Sequence, residues 1–224
     1  IDVEKATLFG KHLKKRRDQI IDSIENLTGV RVDIWAAASI KNLLEYLDIR
    51  DYKVTPKSKM PQLPKDYLKT HKNKYLRMIA KAREYDKAVN TFIEGLLGYV
   101  HEGRIHADIN QLRSDNGGTV TGRFSYSNPN LQQIPARNKD LGPLIRALFV
   151  PEEGHTWGCF DYSQQEPRLV VHYAALQNLY GVDDVLDAYR EGDADFHTIV
   201  ADMAEIPRSQ AKTINLGLFY GMGK

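Results

Sequence analysis

Three stretches carry the side chains best suited to chemistry. In Asp161-Tyr-Ser-Gln-Gln-Glu-Pro-Arg168 a carboxylate closes the apolar run Trp157 to Phe160, and Glu166 and Arg168 follow on the way into a helix. A carboxylate at a strand end is well placed to hold a hard cation. Magnesium takes oxygen ligands and often uses only one or two carboxylates plus substrate phosphates. Asp161 could equally do no more than cap the helix after it. In the second stretch Arg208, Lys212, Leu216 and Tyr220 lie four apart, so they drift slowly around one helix side and rise about 18 Å. The first two put cations in line for a triphosphate, and Arg suits bidentate phosphate contact. Taken singly, Tyr220 reads as a core aromatic and His197, in Asp195-Phe-His, as a core or capping histidine. In the third stretch Arg123, Asn130, Gln132 and Gln133 carry donors that suit the minor groove, where purine N3 and pyrimidine O2 look alike in every pair. The alternative is an ordinary polar loop turning at Asn128-Pro129.

The elements that must position these residues can be read from periodicity. Leu148 to Val150 and Trp157 to Phe160 predict two buried strands joined by a tight loop at Pro151 to Gly154, with Cys159 inside the second. Pro167 suits the start of a helix, and the chain from Leu169 onward reads helical, broken at Gly181 and Gly192. Upstream, Asp2 to Leu27 predicts a helix with Ala6, Phe9, Leu13, Ile20, Ile24 and Leu27 on one stripe, stopped by Gly29. Ser39 is the expected cap of a second helix that turns Ile40, Leu43, Leu44 and Leu47 inward. Three prolines between Thr55 and Pro64 predict a loop. A long helix is expected from about Lys72 to Leu97, with Leu76, Ile79, Ala82, Val89, Phe92, Ile93 and Leu96 on its apolar stripe. Tyr99 to Ile109 predicts a hairpin turning at Glu102-Gly103, and Asp115-Asn-Gly-Gly118 a flexible turn.

The 224 residues suffice for one large domain or two small ones, and 42% hydrophobic content excludes wholesale disorder. Net charge is only +2, but it is unevenly spread. From Lys53 to Lys87 there are eleven Lys/Arg against three Asp/Glu, a local 11 − 3 = +8, which leaves 2 − 8 = −6 for the rest. Such a block is the footprint expected for a phosphate backbone, although a charge run alone also fits a merely solvated face. Within it Lys74, Arg77 and Lys81 share one helix face, and Arg83 and Lys87 another. The single cysteine excludes an internal disulfide and a zinc cluster built on thiols. The 224 residues show no signal-peptide pattern, no apolar run long enough to cross a membrane and no internal repeat.

Three blocks together resemble the family A DNA polymerases, the bacterial DNA polymerase I type. Asp161 to Arg168 resembles the catalytic palm motif. Thr121-Gly-Arg-Phe-Ser-Tyr-Ser-Asn-Pro-Asn-Leu-Gln-Gln-Ile-Pro135 resembles the template-primer motif, and Arg208-Ser-Gln-Ala-Lys-Thr-Ile-Asn-Leu-Gly-Leu-Phe-Tyr-Gly221 the fingers helix. They occur in the family's order. The resemblance implies a mixed α/β (α+β) fold: a right-hand palm with an antiparallel sheet, a helical thumb and the start of helical fingers. The expected divisions are a helical lead-in at 1–38, thumb at 39–98, first part of the palm at 99–168 and first part of the fingers at 169–224.

The resemblance also implies a reaction and its participants. Deoxynucleotide would be added to a primer 3′-hydroxyl by two Mg2+ ions about 4 Å apart, with dNTP as substrate and primer-template DNA as partner. Asp161 would be one of two palm aspartates binding both metals, with the Tyr162 carbonyl helping. Glu166 would crowd the ribose 2′ position. Gln164, His197, Arg208, Lys212, Leu216 and Tyr220 would contact the incoming nucleotide. Arg83, Lys87, Arg123, Asn130, Gln132 and Gln133 would meet DNA, joined by Lys74, Arg77 and Lys81 of the basic face. The setting would be the cytoplasm of a bacterial or phage-infected cell, away from membranes. Gln165, Pro167 and Leu216 depart from the family's usual residues in a way reminiscent of phage polymerases. Leucine at 216 keeps bulk but loses the flat face of the usual aromatic. The family's second palm aspartate lies in a His-Asp-Glu motif beyond the fingers helix, and no such tripeptide occurs here. The expectation is therefore a partial polymerase domain that needs a C-terminal polymerase segment, in the same chain or another. Two rivals are a non-catalytic DNA-binding fragment or subunit of a split polymerase, and a relative of single-subunit RNA polymerases. Glu166 argues against the last.

Overall fold

The computed structural model describes residues 1–115, 117–136, 138–192 and 195–223. They form two compact units, Ile1–Thr156 and Trp157–Lys224.

The first unit is built on two long helical pieces. Helix α1 (Val3–Thr28) starts at Asp2, whose side chain accepts the Lys5 amide, and stops at Gly29 in the left-handed region. Helix α2 (Ala37–Tyr46) follows. A short ribbon, β1 (Lys53–Val54) with β2 (Pro61–Gln62), brackets the proline-rich loop and leads into α3 (Lys65–Thr70). Helix α4 (Lys74–Lys87) runs on through a π-helical stretch, Ala88–Glu94, into α5 (Gly95–Leu97).

Two apolar cores lie along this pair. Ile24 of α1 packs with Ile40, Leu43 and Leu44 of α2, Leu68 of α3 and Leu76, Ile79 and Ala82 of α4. Ala6 and Leu13 of α1 pack with Ala88, Val89 and Ile93, and with Leu141, Ile145 and Leu148. The beginning of α1 thus meets the end of the α4 rod, and its end meets the rod's beginning, so the two run antiparallel. A Cβ on Gly10 would lie 3.3 Å from Ile93 Cγ2, which shows how closely the helices approach. Because the first core joins α1 to α2, α3 and α4, the stretches 1–38 and 39–98 share one interior. Leu27, expected on the buried stripe, is exposed.

Beyond α5, β3 (Val100–His101) and β4 (Arg104–Ile105) form the hairpin, with Glu102 and Gly103 both at positive φ as a tight primed turn requires. Strand β5 (Asp108–Asn110) pairs antiparallel with β6 (Ser125–Ser127). The intervening turn holds Gly118 at φ +91 against the Leu112 carbonyl; Asn116, part of the expected flexible turn, lies outside the described residues. A 3₁₀ turn, Leu131–Gln133, and helix α6 (Gly142–Arg146) complete the unit.

The second unit contains α7 (Gln165–Leu176), α8 (Val182–Glu191), α9 (Phe196–Ala204) and α10 (Arg208–Phe219). The mixed α/β class holds, with helices dominant and only two-stranded antiparallel ribbons among the described residues. Two expectations are corrected. Residues 148–150 and 157–160 are not strands: Leu148 is buried just after α6, whereas Trp157, Phe160 and Cys159 are exposed. Neither run belongs to a ribbon among the described residues: the Leu148 carbonyl accepts the Asp2 amide, and the Phe149 amide bonds back to the Arg146 carbonyl. Ser39 does not cap α2. It lies within the first turn, and its hydroxyl accepts the Asp33 amide. Asp33 makes the turn by accepting the amides of Trp35 and Ala36.

Candidate functional site

In the second unit, α10 opens directly after Pro207, which fixes how the chain enters the helix and leaves no donor to satisfy. Ala211 and Asn215 face inward, so Arg208 and Lys212 stand on the open face, with Leu216 half-buried. Tyr220 follows at the helix end, and its hydroxyl donates to Glu166 Oε1 at 3.2 Å. The first turns of α7 and the last turn of α10 are therefore tied together. Arg208 is held at its base: Asp195 Oδ2 accepts Nε at 2.6 Å and lies 2.5 Å from Nη2. The other oxygen of the same carboxylate caps α9, accepting the amides of His197 and Thr198. Burial opposes ionisation of Asp195, but the bonds from Arg208, His197 and Thr198 outweigh it and hold the carboxyl below its usual range. His197 is buried, and its Nδ1 lies 3.1 Å from Asn215 Nδ2. Burial pushes its imidazole pKa down; Arg208 and Lys212 push the same way, against Asp195 and Glu166.

The loop before α7 is tightly braced. Gln164 takes the left-handed conformation, and its Oε1 accepts the Phe196 amide at 3.0 Å and the Tyr189 hydroxyl at 3.3 Å. It joins the starts of α7 and α9 to α8. Arg168 donates to the Ser163 carbonyl at 3.0 Å and stacks 4.6 Å from the Tyr189 ring. Its guanidinium thus ties the loop to α8. Asp161 and Tyr162 precede this brace and are exposed. Among the described residues no three His, Cys, Asp or Glu side chains gather as a metal cluster.

The first unit carries the residues expected at DNA, arranged differently from a simple basic stripe. Arg77 donates to the carbonyls of His71 and Lys72, and Lys81 bridges Glu84 and Asp140. Arg83 turns inward: it donates to the carbonyls of Ile34 and Leu63, lies 5.0 Å from the Trp35 ring, and burial lowers its pKa. Its guanidinium is thus spent on holding the loop before α2 and the chain before α3. Lys74, beside the Tyr75 ring, and Lys87 remain exposed. A cavity of about 500 Å3 opens between α3, α4 and residues 138–140, lined by Lys65, Lys69, Arg77, Lys81 and Lys139 against Glu84 and Asp140. The helical spacing along α4 points to Arg77 and Lys81. Lys65, Lys69 and Lys139 come from other elements, and only the three-dimensional fold brings them in.

The loop after β6 presents its amides from a rigid frame. Asn130 accepts the Gln132 amide and so caps the 3₁₀ turn; Gln132 Nε2 donates to the Phe124 carbonyl at 3.1 Å. Asn130 and Gln133 line a second cavity of about 500 Å3 with Asn90, Thr91, Phe92 and Tyr99. Arg123 is exposed, and its carbonyl accepts the Thr119 hydroxyl. No described helix is long and apolar enough to cross a membrane.

Comparison with known proteins bears on the family and the fold. The family described as DNA polymerase family A matches residues 3–224. A DNA-directed DNA polymerase of Pseudomonas phage M6 is 36% identical, aligned over 100% of this chain and 36% of its own length. A DNA polymerase DpoZ of Salmonella phage PMBT28 is 38% identical over 100% of this chain and 39% of its own. The chain thus spans somewhat over a third of these curated relatives. Among solved structures, the POL domain of Pol1 from M. smegmatis, in complex with DNA primer-template and dNTP, superposes with a TM-score of 0.74 at 26% identity. That match covers 99% of this chain and 39% of the other.

Proposed function

Since the chain belongs to DNA polymerase family A, we propose that it takes part in template-directed DNA synthesis, transferring a nucleotide from a deoxynucleoside triphosphate to a primer 3′-hydroxyl. The observation that carries this reading is the open face of α10. Arg208 and Lys212 stand side by side there, one turn apart, and Tyr220 at the helix end is bonded to Glu166.

The division of labour follows from that geometry. Phosphoryl transfer asks the protein mainly to position groups and neutralise charge. Arg208, already gripped along its Nε–Nη2 edge by Asp195, keeps its Nη1 side for a phosphate. Lys212 adds a mobile cation, and His197 a hydrogen-bond donor. Gln164 is spent on Phe196 and Tyr189, so it supports the nucleotide site by fixing the loop. Glu166, held by the Tyr220 hydroxyl, sits at the foot of the same helix, where it would crowd a ribose 2′-hydroxyl. Asp161 and the Tyr162 carbonyl are hard oxygen donors of the kind magnesium takes, and they would hold it together with substrate phosphates. Bound magnesium would activate the attacking oxygen and stabilise the leaving one. The exposed amides and Arg123 of the 119–133 loop would meet the minor groove without reading sequence, and the basic cavity beside α4 would meet backbone phosphate.

The relatives are more than twice the length of this chain. We therefore assign the second metal-binding carboxylate to a further polymerase segment, which acts as this chain's partner in the cytoplasm of a bacterial or phage-infected cell. Primer extension tests the reading. The chain supplemented with that segment should extend with deoxynucleotides in preference to ribonucleotides, and Asp161→Ala should abolish extension while leaving duplex binding nearly intact. Wild-type turnover by Asp161→Ala at saturating magnesium would sink the assignment. A preference for ribonucleotides would favour an RNA polymerase instead, and duplex binding with no extension under any condition would favour a non-catalytic subunit.

A further inference from the structure

We propose that Asn215 is a positioning residue that fixes His197 as a neutral imidazole protonated on Nε2, so that the ring offers one N–H donor to the phosphates of a bound nucleoside triphosphate. The inference rests on the reading of α9 and α10 as the nucleotide site. Both residues are 4% exposed, and Asn215 Nδ2 lies 3.1 Å from His197 Nδ1. An amide nitrogen can only donate, so Nδ1 accepts and the ring's single proton belongs on Nε2. No described group bonds Nε2, and no fully buried side-chain nitrogen or oxygen among the described residues lacks a partner. Nε2 is therefore the ring's open edge.

The surroundings keep the ring neutral. Asp195 from the start of α9 and Glu166 from α7 favour a charge on it; Arg208 and Lys212 from α10 oppose one, and burial tips the balance. The Phe196 ring, 6.5 Å away edge-on, adds apolar surface. A neutral donor suits a face that already carries two cations. It adds direction to the phosphate contact without a third charge for Arg208 and Lys212 to repel. A carboxylate at 215 would reverse the ring: it would demand a proton on Nδ1 and leave the Nε2 lone pair facing the phosphates.

The test uses the 224-residue chain with 15N-labelled histidine, and dATP with magnesium as the probe. The His197 signals, identified by their loss in His197→Gln, should show a protonated Nε2 and a bare Nδ1 at pH 7.5. Asn215→Asp should move the proton to Nδ1. It should also weaken dATP about tenfold at pH 8, the worth of one hydrogen bond to a charged group. Expressed as the ratio to the parent chain, that loss should close as pH falls and the imidazolium regains its Nε2 proton. On a His197→Gln background Asn215→Asp should add nothing. A proton on Nδ1 in the parent would overturn the proposal. So would a loss in Asn215→Asp of the same factor at every pH, or one that persists without His197, since a merely structural asparagine gives that result. Should Asn215→Asp fail to fold, the tautomer in the parent chain decides alone. If the tautomer is as inferred but His197→Gln binds dATP like the parent, the nucleotide reading of this face fails, while the hold of Asn215 on the ring stands.

Discussion

Asp86→Ala should be among the most damaging single changes in the first unit, although nothing apolar is lost. Asp86 sits on α4 at 8% exposure. Its Oδ1 accepts Arg17 Nη1 at 2.6 Å; its Oδ2 accepts Trp35 Nε1 at 2.7 Å and Asn90 Nδ2 at 3.0 Å. One carboxylate thereby joins α1, the loop before α2, α4 and the π-helical stretch. Removing one member of a fully buried ion pair costs about 3–5 kcal/mol, because the other charge is left uncompensated. Here the figure must be reduced. The Arg17 side chain is 24% exposed and keeps Asp18 at 2.8 Å, and Trp35 is 54% exposed, so its N–H can find water. We expect a loss of about 2–3 kcal/mol, which at a urea slope of about 2 kcal/mol/M lowers the midpoint by about 1–1.5 M. The measurement is urea unfolding followed by Trp35 fluorescence on a Trp157→Phe background, since those are the only two tryptophans. Arg17→Ala and the double variant complete a cycle, whose coupling should exceed about 1 kcal/mol for groups in direct contact. A midpoint within about 0.2 M of the parent, or strictly additive single losses, would refute the argument that this carboxylate ties the elements together.

The other predictions concern function, charge, backbone and pH. Glu166→Ala should raise ribonucleotide use relative to deoxynucleotide in the complemented enzyme and remove the bond from the Tyr220 hydroxyl; an unchanged ratio of specificity constants would make Glu166 structural only. Neutralising Lys65, Lys69 and Lys139 of the basic cavity should flatten the log–log salt dependence of duplex binding by about 0.9 for each phosphate that is no longer paired, and a parental slope would place the cavity away from DNA. Gly118→Ala would put a Cβ 2.3 Å from the Leu112 carbonyl oxygen at φ +91. Backbone cannot swing aside, so the β5–β6 turn should lose about 1–3 kcal/mol, read as faster amide exchange at residues 108–127. In the second unit His197 has a folded pKa below its ordinary 6.5. The stability it brings is therefore full above that value and lost as pH falls through the folded pKa, so thermal unfolding between pH 7 and 5 should show a loss that His197→Gln reduces.

What the sequence made legible was whatever depends on neighbours close in the chain. The stripe Leu76, Ile79 and Ala82 is buried as its spacing requires, Gly29 ends α1, and Glu102-Gly103 turns the hairpin. The cations of α10 were readable for the same reason: a four-residue interval fixes their side of the helix. Misreadings came where the answer depends on distant partners. Trp157 to Phe160 has strand composition, but a ladder decides a strand, and none of the described ribbons includes this run. Arg83 has the helical spacing of a surface cation, yet the carbonyls of Ile34 and Leu63 draw it inward. Asp86 carried no signal at all, since its partners Arg17 and Trp35 lie 69 and 51 residues away. Asn215 was equally silent, 18 residues from His197.

That division bears on how the chemistry is assembled. The groups proposed to bind a triphosphate are set by contacts inside one unit: Asp195 grips Arg208, Asn215 holds His197, and Gln164 and Arg168 lock the loop before α7. Their geometry exists before any substrate arrives, so binding has little ordering cost left to meet. Asp161 is different. It lies outside any helix or strand, exposed, and no described cluster of metal ligands surrounds it. Two-metal transfer needs both ions clamped on the attacking and leaving oxygens, and one carboxylate outside regular structure cannot hold them in register. Preorganised binding with an unfinished metal site predicts a separation of the two functions. The 224-residue chain should bind dATP and primer-template, whereas extension should appear only when a partner segment adds the second carboxylate. Each tenfold in rate corresponds to about 1.4 kcal/mol of transition-state stabilisation, so losing half the clamp should place unaided extension orders of magnitude below the complemented rate. If the chain alone extends primers at a rate near that of the complemented pair, Asp161 is not half of a shared metal site.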